Sequence, residues 1–214
     1  MKCFIFILIM MSQYNLNAQL NTPNTNIWFG GSCLHKINSN TNLSGDIGYR
    51  TFNLFENRRN YFGRLLIEKI IFQNTAIGLG YALFNNFSFS RKSYSFENRP
   101  FLNLQFRWNQ QKHEIVFRNR IEWRINENGI KNTFRKRFQI AHEYQLRAIK
   151  TRIVYELMAS NDKSNEERYT VGVLLPINNQ RLNIFYAINR QSSLKLNNQL
   201  VNQHVVGFNY QFSN

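Results

Sequence analysis

Between Glu114 and Ile125 the chain alternates at almost every step. Ile115, Phe117, Asn119, Ile121, Trp123 and Ile125 form one row; Glu114, Val116, Arg118, Arg120, Glu122 and Arg124 form the other. A period of two is the mark of a β-strand, whose side chains point alternately to the two faces of a sheet. A helix would repeat its apolar residues every three or four positions, and that pattern fails here. A strand of a soluble protein buries its apolar face and offers small polar groups to water. This one sets Ile, Phe and Trp against a row of ionised Arg and Glu, which fits a wall with an apolar outside and a wet, charged inside.

The alternation recurs along the chain. It predicts strands over Ile27 to Ile37, Asn42 to Phe52, Tyr61 to Phe72, Ala76 to Phe89 and Glu97 to Trp108. Beyond Glu114 to Ile125 it predicts further strands over Phe134 to Tyr144, Thr151 to Ala159, Arg168 to Leu175, Arg181 to Arg190 and Val201 to Phe212. Connections near Asn74, Gln110, Arg147 and Asn178 are tight, whereas those near Lys92, Asn128, Lys163 and Leu196 are longer and polar. Short turns alternating with longer loops are a feature of bacterial barrels, which also use even strand numbers. Eleven stretches fit the pattern, so the expected fold is all-β: a transmembrane, antiparallel, up-and-down β-barrel of 10 to 12 strands.

The start of the chain reads differently. Lys2, the apolar run Cys3 to Met11, and Leu16-Asn17-Ala18 before Gln19 have the form of a signal peptide. The domains expected are therefore a leader at 1–18 and a barrel at 19–214. The leader's apolar run is too short to span a bilayer, and after it no window approaches the roughly 20 apolar residues of a membrane helix. An exported chain of this kind can sit in a membrane only as a closed barrel, so the cell outer membrane is the expected location.

Charge and cysteine content narrow the function. The 27 basic against 12 acidic residues give a formal charge of +15, which raises nucleic acid as a partner. The basic residues are mostly Arg placed singly through strands, with Arg58-Arg59 and Arg135-Lys136-Arg137 the dense exceptions, and no nucleic-acid-binding motif accompanies them; no nucleic-acid partner is expected. Two Cys, one of them in the leader, leave Cys33 alone, so neither a disulfide nor a Cys-based metal site is expected. Trp28, Trp108 and Trp123 suit the aromatic girdles of a membrane barrel, as do the alternating Val206, Phe208, Tyr210 and Phe212 near the end of the chain. That last strand resembles the signal read by the barrel-assembly machinery, which with outer-membrane lipid is an expected partner. Ser213 and Asn214 after the final aromatic depart from the usual form.

The Tyr-rich strands with Glu97-x-Arg99, Arg118-x-Arg120-x-Glu122-x-Arg124 and Arg135-x-Arg137 resemble an uncharacterised family of Gram-negative outer-membrane β-barrels. The resemblance covers nearly all of the chain after the leader. It implies fold and location, and carries no assigned activity.

The chemistry on offer is ionic. Arg64, Glu68, Glu97, Arg99, Arg107, Glu114, Arg118, Arg120, Glu122, Arg124, Arg135, Arg137, Glu143, Arg152 and Glu156 all fall on the expected inner face. Residues opposite one another on neighbouring strands stand about 5 Å apart, so Arg and Glu can pair as bidentate forks. The expectation is an ion network that fills a narrow interior and sets strand register; the sharper alternative is a passage for a small anionic solute. Catalytic residues, metal and cofactor are expected to be none. Outer-membrane phospholipases place His, Ser and Asn on the outer wall, and His142 and His204 do fall on that face, but neither is followed closely by Ser. His35 and His113 near strand ends lack metal-ligand spacing. Glu166-Glu167 is expected in a solvated loop, and Gly78 and Gly80 are expected to relieve crowding within a strand. The function expected is a structural or passively permeable outer-membrane barrel. A lipid-active enzyme and a soluble periplasmic barrel for an acidic ligand are the alternatives.

Overall fold

In a computed structural model, residues 24–52, 58–88, 92–127, 132–161, 164–178, 180–193 and 200–213 are described. The leader expected at 1–18 lies outside them, as does most of the longer connections. The described residues form eleven strands: β1 (Asn24–Lys36), β2 (Thr41–Phe52), β3 (Arg58–Phe72), β4 (Thr75–Ser88), β5 (Ser93–Gln110), β6 (His113–Asn126), β7 (Thr133–Leu146), β8 (Ile149–Ser160), β9 (Ser164–Ile177), β10 (Gln180–Ser193) and β11 (Leu200–Ser213). Each pairs with its sequence neighbours, and β1 pairs with β11 to close a barrel.

The closing pair departs from the all-antiparallel expectation. β1 and β11 run parallel, in a register from Asn24 opposite Gln203 to Leu34 opposite Ser213. This follows from the odd count, because an up-and-down meander of eleven strands brings its last strand back beside the first pointing the same way. The start of β1 and the end of β11 therefore lie at opposite ends of the barrel.

Sequence pattern and structure agree on which residues face out. On β4, Ile77, Leu79, Tyr81 and Leu83 are exposed on the outer wall, while Ala76, Gly78, Ala82 and Phe84 are buried inside. The inward glycines make room, as expected: a Cβ on Gly78 would stand 2.7 Å from Leu66 Cδ1, and one on Gly80 would run into the Phe101 ring. The room is filled by a small apolar cluster of Ala82, Phe84 and Phe101 with Phe62 and Leu66 packed against it. The interior is thus part apolar plug and part charged cavity.

Two-residue turns join β5 to β6 and β7 to β8. Their first residues, Gln111 and Arg147, have φ of 52° and 54°, the left-handed region that tight hairpin turns demand. The strands run 12 to 18 residues, and all but β4 are longer than the sequence pattern marks out. As a result Glu166, expected in a solvated loop, lies within β9, which begins at Ser164.

Candidate functional site

The site is the barrel interior, built where the inward rows of β5 to β9 meet. Glu156 on β8 is 3% exposed and gathers three guanidinium groups. Arg137 donates to its Oε1 from Nη2 at 2.7 Å and Nε at 3.0 Å, Arg168 reaches its Oε2 at 3.2 Å, and Arg118 stands 3.8 Å away. Glu122 on β6 is the second hub. Arg135 donates to its Oε2 at 2.6 and 3.0 Å, Arg137 to its Oε1 at 2.7 Å, and Arg120 lies 3.8 Å off. Arg137 therefore links the two carboxylates into one buried chain of charge.

A third hub lies toward the longer connections, where Glu97 pairs with Arg99 at 2.7 Å and also with Arg124. Toward the tight turns, Glu114 and Glu143 stand directly opposite each other, a like-charge pairing that would be unfavourable alone. Lys150 bridges them at 3.1 and 2.9 Å, and Arg152 approaches Glu143 at 3.4 Å. Arg64 forms a two-pronged pair with Asp46 at 2.7 and 2.8 Å.

Most of the residues expected on the inner face thus meet as ion pairs, and two do not. Glu68 accepts a 3.4 Å hydrogen bond from Asn103 Nδ2 instead. Arg107, near the β5–β6 turn, faces Gln105, whose amide oxygen turned toward it accepts at 2.6 and 2.8 Å. The structure adds Asp46, Arg50, Lys150, Glu166 and Arg168. Asp46 and Arg50 share the polar row of β2, a signal visible in the sequence. Glu166, expected in a loop, lies in β9, where it points inward and binds Arg168 at 2.9 Å, while its neighbour Glu167 points outward to the Tyr169 hydroxyl.

Of the expected interface aromatics, Trp108 and Trp123 lie exposed on the outer wall, at opposite ends of the barrel, and Phe208, Tyr210 and Phe212 lie on the same wall. Trp28 does not. It faces inward, in edge contact with Phe185, with the Arg50 and Arg168 guanidinium groups 4.2 and 4.9 Å above its ring. Register forces this, since Trp28 stands between Arg50 on β2 and Gly207 on β11, both inward positions. On the outer wall, His142 Nε2 meets His113 Nδ1 at 3.0 Å, and His204 meets the Tyr186 hydroxyl. Among the described residues, no group of three or more His, Cys, Asp or Glu could hold a metal ion.

A cavity of about 370 Å³ opens between the hubs, from mid-barrel toward the longer connections. Nine arginines and three glutamates line it, so its charge is strongly positive. Such an interior can attract anions and hold them by planar bidentate forks.

Fold and interior define a closed β-barrel with an Arg/Glu-lined core. The chain belongs to the family described as "Protein of unknown function (DUF2490)", whose match spans residues 25–201, from the start of β1 to the first residues of β11. No curated protein and no solved structure matches it.

Proposed function

We propose that this protein is an outer-membrane β-barrel, structural or passively permeable, whose Arg/Glu core locks strand register and gives the interior a preference for anions. One observation carries the reading: the outer wall is apolar around the barrel. Ile47, Leu65 and Leu79 are 70%, 62% and 65% exposed, and similar residues face outward on the other strands. Monomeric soluble proteins rarely show apolar patches beyond a few hundred Å², whereas bilayer contact would cover such a wall. Backbone groups are paired strand to strand around the closed barrel, which is what a lipid environment demands. The strands also exceed the roughly 9–11 residues that a membrane crossing needs.

Fractionation tests the proposal. The protein should stay with membranes through a high-salt wash, come out only in detergent, and migrate differently on a semi-native gel before and after heating. Release by salt alone would refute it. Conductance across a planar bilayer then separates a closed structural barrel, with no steps, from a passive one with anion-selective steps. A lipid-active enzyme is the competing reading, since His142 and His204 lie on the outer wall. Lipid turnover by the pure protein that is lost on His142→Ala or His204→Ala would favour it.

A further inference from the structure

The charges of the interior do not balance locally. Arg50 makes no ion pair among the described residues. Its guanidinium is clamped between the rings of Trp28 and Phe62, at 4.2 and 4.4 Å, and its buried Nε has no hydrogen-bond partner. Arg120 is 3% exposed, lies flat on Phe101 at 4.3 Å, and its Nε is likewise unsatisfied. The carboxylate nearest to it, on Glu122, is 3.8 Å away and already accepts from Arg135 and Arg137. Arg118 is 3.8 Å from Glu156, whose oxygens accept from Arg137 and Arg168. At 3.8 Å neither contact is a hydrogen bond. All three guanidinium groups line the one cavity of about 370 Å³.

Leaving buried donors and charges unsatisfied is costly. A protein that only needed register-setting ion pairs would gain nothing from arginines beyond those its carboxylates can hold. Stacking on Trp28, Phe62 and Phe101 fixes two of the forks in place without an acid, at the wall of that cavity. The volume falls at the small end of the range for ligand pockets.

We propose that the cavity is a binding site for a phosphate group, as inorganic phosphate or on a small ester, held by Arg50, Arg118 and Arg120. A phosphate carries about two charges near neutral pH and three acceptor oxygens, enough for three forks. A carboxylate offers two oxygens and one charge, and Glu122 and Glu156 already fill that role. This site rests on the reading of the chain as a barrel with an anion-preferring interior, and names what that interior holds.

The test uses the full-length mature barrel refolded in detergent, titrated calorimetrically with inorganic phosphate, glycerol 3-phosphate and acetate at low salt. Saturable one-site binding of a phosphate species, about tenfold or more tighter than acetate, is expected. Arg50→Gln should weaken it by about tenfold or more. Arg181→Gln, at the tight-turn end of β10, should change it less than twofold. Arg50 holds no carboxylate, so its replacement spares the ion pairs and should leave the heat-dependent gel shift intact. Arg50→Lys keeps the charge without the fork and should bind more weakly than wild type. Tighter binding of glycerol 3-phosphate names an ester as the source of the group; equal binding names phosphate itself. Equal affinity for phosphate and acetate, no saturable heat, or an unchanged Arg50→Gln overturns the site. A heat-modifiable barrel that ignores phosphate sinks this inference alone. A chain released by salt sinks the outer-membrane reading alone, and the same titrations in aqueous buffer then uphold or overturn the phosphate site by the same criteria.

Discussion

Replacing Glu156 by Gln would remove the carboxylate that three arginines share. The side chain is nearly isosteric, so the loss is of charge and not of volume. Removing one partner of a buried ion pair costs about 3–5 kcal/mol, because the other charge is left buried and unpaired. Here the damage is partly shared: Arg137 keeps Glu122 at 2.7 Å and Arg168 keeps Glu166 at 2.9 Å, while Arg118 loses the one carboxylate near it. The expected loss is therefore at the lower end, about 3 kcal/mol. Urea unfolding of the barrel reconstituted in lipid vesicles, followed by tryptophan fluorescence, measures it. A double-mutant cycle isolates the cause. Arg137→Gln added to Glu156→Gln removes a surplus cation, so the double variant should cost less than the sum of the singles by about 1–3 kcal/mol. A single-variant loss under about 1 kcal/mol, the worth of an exposed surface pair, would refute the view that these charges work as a buried network. Strict additivity in the cycle would refute it as well.

Leu65→Arg, at the middle of β3 on the outer wall, should cost about 2–4 kcal/mol in vesicles if that wall faces lipid; a change under about 0.5 kcal/mol, normal for an exposed site in water, would count against the membrane reading. Gly207→Ala places a methyl group where the Phe185 ring lies and should destabilise the β1–β11 seam by about 1–3 kcal/mol. Adding Phe185→Leu should restore part of that, and no recovery would mean the ring is not the obstacle. If the outer wall faces lipid, brominated lipids should quench the wild type, and with Trp108→Phe and Trp123→Phe in place the remaining Trp28 emission should resist that quenching. Equal quenching would put Trp28 on the wall.

Much of the fold was legible because strand periodicity is local. Eleven stretches, read as 10 to 12 strands, appear as eleven strands among the described residues, and the parity of β2, β4, β5, β6 and β7 already sorted inner from outer residues. Element ends were less legible: β9 begins at Ser164 because its polar first residues are paired along β8 and β10, and polarity alone made them look like a loop.

On β5 to β8, residue order also determined that arginines and glutamates would share one face, because within each of these strands they stand an even number of residues apart. It could not determine which would meet. Glu122 with Arg135 and Glu143 with Arg152 are direct cross-strand partners, but Arg137 reaches both Glu122 and Glu156 from diagonal positions, and Lys150 settles the opposed Glu114 and Glu143 from a strand end. Those contacts depend on register and on the curvature that brings successive inward rows together. The parallel closure of β1 on β11 is likewise a property of the whole ring. The β1–β2 register sets Trp28 against Arg50, and the closure on β11 adds Gly207 at its other side, which makes an expected girdle residue one wall of the charged cavity.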